Sequence, residues 1–121
     1  MSVTKMNFAL IYVDEFESNK NFYEKYLGFK QTQEFKPGEV FGKMGEVDCW
    51  MGSGYKRIQA DENSTRASVM LGVDSVSSLF NNLKEGNEKI IQDQPIEMKE
   101  GVYWLQFQDP SGNTVEVLGG Q

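Results

Sequence analysis

The spacing of apolar residues predicts a strand and then a helix at the start of the chain. Residues 8–13 (FALIYV) form a continuous apolar run that is short enough for a buried strand. Apolar residues between positions 16 and 27 then recur largely on one helical face. Asp14 and Glu17 have the spacing of a capping box, and Gly28 stands where a C-terminal cap belongs. We therefore predict a helix between Asp14 and Gly28.

Three strands are predicted after this helix, over residues 29–35, 39–44 and 47–51. A Pro-Gly pair and a single glycine divide the sequence between them. The first module thus has the order βαβββ. Residues 53–66 (SGYKRIQADENSTR) are polar and without periodicity, so they are predicted to form a connecting loop.

The same order of elements recurs in the second half, at an offset of about 60 residues. A strand is predicted over residues 68–73, and a helix begins at Asp74 or Ser75 and ends before Gly86. Three more strands are predicted over residues 89–92, 102–107 and 114–118. The last two are joined by a run of turn-forming residues, DPSGN.

Two βαβββ modules predict a single α+β domain, because a half of about 60 residues would be only marginally stable alone. We expect this domain to cover residues 1–121. Module one covers residues 6–53, the linker 54–66 and module two 67–119. Each module is expected to contribute to a curved mixed sheet around a shared cleft, with the helices packed outside.

The composition narrows the chemistry that such a domain can perform. The chain contains no histidine, which excludes Ser-His-Asp and Cys-His catalysis and any metal site built on imidazole. Its one cysteine excludes an internal disulfide and a structural zinc site. What remains is carboxylate chemistry, a Tyr or Lys acid or base, an all-oxygen metal site, or binding without catalysis.

Charge and hydropathy indicate which partners the protein can have. Twelve basic and eighteen acidic residues give a net charge of -6, so nucleic acid is not an expected partner and a cationic ligand is favoured. No apolar run approaches the roughly 18 residues of a membrane span, and no cleavage site follows the first apolar stretch. We therefore expect a cytoplasmic protein without a membrane partner.

Two motifs carry a resemblance to a known family. They are FYEKYLGF at residues 22–29 and DPSGNTVE at residues 109–116, and the segment VDEF at residues 13–16 adds to them. With the repeated architecture, they resemble the vicinal oxygen chelate superfamily, which includes glyoxalases, extradiol dioxygenases, fosfomycin resistance enzymes and bleomycin resistance proteins. The resemblance covers the whole chain and implies a glyoxalase/bleomycin-resistance-like fold. It also implies a homodimer.

Enzymes of this family hold a divalent metal with side chains from the first and last strands of each module. The resemblance places those four positions at Phe8, Trp50, Ser68 and Glu116. Only Glu116 keeps a ligand type, and a slip of one residue would put Asn7 in the place of Phe8. No cofactor is therefore expected, although a divalent ion bound weakly through Glu116 stays an alternative.

If Phe8 matches a ligand position, its strand face is the cleft face. The cleft is then predicted to be lined by Phe8, Leu10, Tyr12, Asp48, Trp50, Ser68, Met70, Thr114 and Glu116. Trp104 is a further candidate, because alternation alone does not tell which face of its strand meets the second helix. Aromatic walls with a few acidic groups suit a planar or cationic ligand.

These residues predict a metal-free small-molecule-binding protein, similar to the antibiotic-binding resistance proteins of the family. The alternative is a divergent glyoxalase-like lyase or isomerase in which Glu116 is the base or the sole protein ligand of an ion. A third hypothesis is a protein-interaction module.

Some of these residues have alternative interpretations. Phe8 and Trp50 could instead be packing residues, and the sequence indicates no group that would activate Tyr12 as a general acid. Cys49 is predicted to be a small buried side chain rather than a nucleophile.

Overall fold

Each half of the chain folds into one helix and one mixed β-sheet, which is an α+β architecture. The structure is a computed structural model that describes residues 1–5, 7–55 and 70–121. The chain divides into a first unit, Met1–Ile58, and a second unit, Gln59–Gln121. The division into one domain with a shared cleft stays a prediction. Within the described ranges, neither helix is long and apolar enough to cross a membrane.

The first unit has a four-stranded sheet in the order β1-β4-β3-β2, in which β1 runs parallel to β4. Its elements are β1 (Ala9–Val13), α1 (Phe16–Leu27), β2 (Lys30–Lys36), β3 (Glu39–Met44) and β4 (Val47–Ser53). The helix packs on one face of this sheet and buries Phe22 and Tyr23. Cys49 and Met51 are fully buried on the helix side of β4. Cys49 is thus a buried thiol, as its alternation with Trp50 predicted.

The start of α1 differs from the prediction, whereas its end agrees with it. The N-cap residue is Glu15 rather than Asp14, and no side chain caps the helix there. The buried Asn19 side chain donates a hydrogen bond of 2.6 Å to the Glu15 carbonyl, which also accepts the Asn19 backbone amide at 3.3 Å. Gly28 ends the helix in the left-handed conformation, with φ of 68°, as the sequence predicted.

The second unit has a five-stranded sheet in the order β5-β9-β8-β6, with β7 also paired to β8. Its elements are β5 (Met70–Ser75), α2 (Val76–Glu85), β6 (Lys89–Ile90), β7 (Ile96–Lys99), β8 (Val102–Gln108) and β9 (Thr114–Gly120). Helix α2 begins after Ser75, whose Oγ accepts a hydrogen bond of 3.1 Å from the Ser78 amide. Of the two predicted start positions, the structure selects Ser75.

The strand β7 is absent from the predicted pattern, which assigned a single strand to residues 89–92. The observed strand β6 ends at Ile90 and β7 begins after Pro95, which has no N–H to donate to a ladder. Between them, the Gln92 side chain takes the place of a backbone partner: its Oε1 accepts from the Gln106 amide at 2.8 Å. The edge of this sheet therefore consists of two short strands, and in the gap between them the Gln92 side chain bonds to β8.

The core of the second unit decides which face of β8 meets the helix. Leu105 and Phe107 are fully buried on the side of the buried α2 residues Leu79 and Leu83. Trp104 lies on the opposite face by alternation. The open alternative from the sequence is thereby settled in favour of a Trp104 face that points away from the helix.

The DPSGN segment forms the turn that the sequence predicted. The buried Asp109 carboxylate accepts hydrogen bonds from the backbone amides of Ser111 at 2.9 Å and Asn113 at 2.8 Å. Its other oxygen accepts from the Asn113 side chain at 2.8 Å. Gly112 adopts φ of 85°, which favours glycine. This motif therefore organises the β8–β9 hairpin.

Candidate functional site

An open pocket lies on the sheet face of the first unit that points away from α1. Its volume is about 240 Å³ and it is lined by Phe8, Leu10, Tyr12, Phe41, Trp50 and Tyr55. Alternation along β1 places Leu10 and Tyr12 on this face, and Leu10 stands opposite Trp50 in the parallel β1–β4 pair. Phe41 stands opposite Trp50 on the other side, in the antiparallel β3–β4 pair. Trp50 is therefore at the centre of the pocket floor.

Three aromatic rings brace one another edge to face in this pocket. Ring centroids are 5.1 Å apart for Tyr12 and Trp50, 5.5 Å for Trp50 and Tyr55, and 5.9 Å for Tyr12 and Tyr55. These separations are in the favourable range for aromatic pairs. Trp50 is 8% exposed, whereas Tyr12 and Tyr55 remain 44% and 45% exposed. The indole is thus a buried floor and the two phenols are walls open to solvent.

The orientation of the Trp50 indole depends on two neighbours, Gly52 and Glu39. A Cβ atom at Gly52 would collide with the six-membered ring of the indole, so the absence of a side chain leaves room for it. Glu39 stands directly opposite Gly52 in the β3–β4 ladder. The indole reaches across this position, and its Nε1 donates a hydrogen bond of 3.0 Å to Glu39 Oε1.

Glu39 places a negative charge behind the aromatic walls. It is 5% exposed, and its Oε2 accepts a hydrogen bond of 2.8 Å from the Tyr55 hydroxyl. Lys36 Nζ lies 3.5 Å from the same oxygen. Burial raises the pKa of Glu39, but the bonds from Tyr55 and Trp50 and the charge of Lys36 outweigh it and lower the pKa overall. The carboxylate is therefore ionised at neutral pH and accepts hydrogen bonds from the floor residue Trp50 and from the wall residue Tyr55.

The hydrogen bond to Glu39 also changes Tyr55. Donation to a carboxylate raises the pKa of the Tyr55 hydroxyl, and burial and the negative charge of Glu39 act in the same direction. Tyr55 thus stays a neutral donor over the physiological pH range. A phenol that donates to an anion has a more electron-rich ring, which strengthens its attraction for a cation.

The structure brings together four of the predicted site residues and adds three that the sequence analysis missed. Phe8, Leu10, Tyr12 and Trp50 line this pocket, while Phe41, Tyr55 and Glu39 are additions to the site. Alternation on β3 opposite Trp50 was a usable signal for Phe41. Tyr55 was missed because it lies in the segment predicted to be a loop. Glu39 was missed because its contact with Trp50 depends on the register of β3 and β4, which the sequence pattern does not contain.

Asp48 lies outside the pocket lining, contrary to its predicted place in the wall. It shares a sheet face with Trp50 by alternation, but its Oδ1 lies 2.8 Å from Lys43 Nζ in an exposed ion pair. That pair forms across the β3–β4 ladder, where Lys43 stands opposite Asp48. Ser68, another predicted wall residue, lies outside the described residues.

The remaining predicted residues share one sheet face in the second unit. Met70 stands opposite Glu116 in the β5–β9 pair, and Thr114 stands further along the same face of β9. Trp104 Nε1 donates to Glu116 Oε1 at 3.1 Å. Gln106 Nε2 donates to the same oxygen, also at 3.1 Å. Glu116 is therefore the acceptor of a part-buried polar network.

Both units thus contain an indole that donates to a carboxylate across a β-hairpin, with the strands exchanged. In the first unit the acid (Glu39) is on the earlier strand of the hairpin and Trp50 is on the later one. In the second unit Trp104 is on the earlier strand and the acid (Glu116) is on the later one.

Comparison with known proteins identifies the family. The sequence matches the Glyoxalase/Bleomycin resistance protein/Dioxygenase superfamily over residues 5–117. The chain belongs to this superfamily. A search of curated proteins found no match.

Solved structures of the glyoxalase superfamily share its fold. Lactoylglutathione lyase from Agrobacterium tumefaciens is 18% identical with a TM-score of 0.69, and the match covers 99% of this chain and 96% of that one. Fosfomycin resistance protein FosX from Listeria monocytogenes is 11% identical with a TM-score of 0.77 and coverage of 99% and 94%. A glyoxylase/bleomycin resistance protein/dioxygenase domain from Frankia sp. EAN1pec is 16% identical, with a TM-score of 0.74 and coverage of 99% and 94%.

The donor set of this chain does not fit the metal site that the resemblance to the glyoxalase superfamily implies. Two of the four matched positions are the hydrocarbon ring of Phe8 and the indole of Trp50, whose only nitrogen donates to Glu39. Glu116 Oε1 already accepts two hydrogen bonds. In the part of the chain that the structure describes, no cluster of three or more Asp, Glu or Cys side chains could hold a metal ion.

Proposed function

We propose that the protein is a metal-free small-molecule-binding member of the glyoxalase superfamily whose ligand is planar or cationic. The observation that carries this proposal is the pocket of the first unit, in which five aromatic side chains and a leucine surround an open volume. A buried, ionised Glu39 stands behind them. The biological role that we propose is sequestration of a drug, which would give antibiotic resistance.

The pocket supports such binding through two physical effects. A flat ligand gains dispersion and hydrophobic energy against aromatic rings, and a cation within about 6 Å of a ring centroid gains roughly 0.5 to 2 kcal/mol per contact. The carboxylate of Glu39 adds a negative charge that cannot move away, because Trp50 and Tyr55 both donate to it. The net charge of -6 favours the approach of cations over anions.

A homodimer is part of the proposal. Phe8, Leu10 and Tyr12 are 43%, 57% and 44% exposed, so the mouth of the pocket is an apolar surface that a second copy could cover. Sedimentation equilibrium of the protein, with Leu10→Asp as the comparison, tests this step. A monomer at every concentration would contradict it without touching the binding proposal.

The alternative, a metal-dependent glyoxalase-like lyase or isomerase, would rest on Glu116. The fixed position of this carboxylate between Trp104 and Gln106 suits a general base held in place. What speaks against a metal-dependent form is the poor donor set described above. This alternative therefore ranks second.

Titration of chelator-treated protein with proflavine, a planar cation, tests the proposed function. Binding is expected without added metal, and Tyr12→Ala is expected to weaken it roughly tenfold by removing one exposed wall. Phe80→Leu is the matched control, because it removes an aromatic ring from α2, which carries none of the predicted wall residues, and it should leave the affinity within about twofold. Equal affinity for wild type and Tyr12→Ala would overturn the proposed pocket.

A further inference from the structure

A cation of the protein itself lies beside the aromatic pocket. Lys36, the last residue of β2, places its Nζ 3.5 Å from Glu39 Oε2 and 5.9 Å from the centroid of the Tyr55 ring. An alkylammonium group thus touches both the acid behind the pocket and one of its walls. These are the two contacts that a cationic ligand would seek.

The hold of Glu39 on Lys36 is weak, so it can be exchanged. The Lys36 side chain is 58% exposed, so water and salt screen its attraction to Glu39, and the side chain loses rotamer freedom when it holds this position. By contrast, the Glu39 side chain is only 7% exposed and stays bound to Trp50 and Tyr55. The anion is therefore fixed while its cation is free to leave.

Two other lysines of the first unit contact groups outside the pocket. Lys43 pairs with Asp48 at 2.8 Å, and Lys25 lies over the Tyr26 ring on α1 at 5.1 Å. Lys30 stands at the opposite end of β2 from Lys36, where it pairs in register with Lys43. Lys36 is thus the lysine that the strand register brings to Glu39, because these two residues stand opposite each other in the β2–β3 pair.

We infer that Lys36 occupies the cation subsite of this pocket, and that the ligand carries an ammonium group which displaces it. This inference rests on the proposed function and adds the charged group of the ligand to it. Lys36 is then a specificity-determining residue: a neutral aromatic compound leaves it in place, whereas an aromatic ammonium compound competes with it for Glu39 and Tyr55.

Two probes that differ in charge test this inference. Benzylammonium and benzyl alcohol have the same ring, and their binding to chelator-treated protein is measured by two-dimensional NMR titration. Lys36→Gln is expected to strengthen benzylammonium binding about two- to fivefold, because the ligand no longer has to displace a solvent-screened lysine, and to leave benzyl alcohol binding unchanged. Lys30→Gln removes the same charge from the same strand and is expected to change neither affinity by more than about 1.5-fold.

The outcomes separate the inference from the proposed function. If Lys36→Gln leaves benzylammonium binding unchanged, weakens it, or strengthens it no more than Lys30→Gln does, Lys36 is not an internal competitor, and the aromatic pocket still stands. If the two probes respond equally to Lys36→Gln, the subsite does not select for charge. If neither probe shifts the resonances of the pocket residues in any variant, the proposed function fails together with the inference.

Discussion

The indole of Trp50 occupies the space that a side chain at Gly52 would need. The two residues are on the same strand and on the same sheet face, so the glycine is what lets the indole extend along the strand towards Glu39. The position of the pocket floor is therefore determined by a residue that does not line the pocket.

Gly52→Ala is expected to move the indole and break its hydrogen bond to Glu39. Forcing a methyl group into an occupied space costs about 1 to 3 kcal/mol of unfolding free energy, to which the lost hydrogen bond contributes. Urea denaturation followed by circular dichroism measures the cost. Gly72→Ala is the control, since nothing lies within 4 Å of a Cβ there. Equal losses in both variants would contradict this account.

Acidification is expected to destabilise the first unit through Glu39. Its pKa in the folded protein lies below the ordinary value of 4.5, so the folded state is favoured by the ionised form. The contribution is present above about pH 4.5 and is lost as the pH falls through the folded pKa. Thermal unfolding between pH 7 and pH 3 should therefore show a steeper loss for wild type than for Glu39→Gln.

Glu46→Gln is the control for this pH series, because Glu46 is exposed in the turn between β3 and β4. This variant should follow the wild-type profile. A Glu39→Gln profile parallel to that of wild type would show that the buried carboxylate does not contribute to acid unfolding.

Metal titration distinguishes the proposed function from the lyase alternative. Calorimetry of chelator-treated protein with Mn²⁺, Zn²⁺, Ni²⁺ and Mg²⁺ is expected to show no saturable binding in the micromolar range, because the matched positions supply too few donors. Glu116→Gln should likewise leave proflavine affinity within about twofold of wild type. Saturable binding that disappears in Glu116→Ala would instead support the metal-dependent alternative.

Asp109→Ala is expected to destabilise the β8–β9 hairpin without affecting ligand affinity. The buried carboxylate accepts three hydrogen bonds within the turn, and their loss should cost about 2 to 4 kcal/mol. Denaturation and proflavine titration of the same sample measure the two effects. Asp93→Ala, at an exposed position, should change neither. A loss of ligand affinity in folded Asp109→Ala would give this motif a role in binding.

The periodicity of a single strand was sufficient to predict part of the pocket lining, but it was not sufficient to predict the charged residue Glu39. The alternation of Leu10 and Tyr12 on β1 is a property of a single strand, and it placed both side chains correctly on the face opposite α1. The bond between Glu39 and Trp50 joins residues diagonal to each other on two strands, so it depends on the hairpin register. Register is set by turn geometry and packing, which one strand's pattern does not contain.

The missed strand β7 has a similar cause. The continuity of the sheet edge is supplied by the Gln92 side chain, which bonds to the backbone and the side chain of Gln106. The sequence pattern of residues 89–99 does not indicate that the Gln92 side chain will bond to the backbone of another strand. The predicted start of the first helix at Asp14 was wrong by one residue: the N-cap is Glu15, and no side chain caps the helix there.

The burial of Cys49 makes the rate of thiol modification a measure of local opening in the first unit. The chain's one thiol is fully enclosed beneath the sheet, and burial raises the pKa of that thiol, so a thiol-specific reagent has neither access nor much thiolate to attack. Modification then proceeds only during moments when the sheet and α1 separate. The rate at which the reagent modifies Cys49 therefore reports how often the sheet and α1 separate. A ligand bound against Trp50, the next residue along β4, would stabilise the closed state and slow this modification.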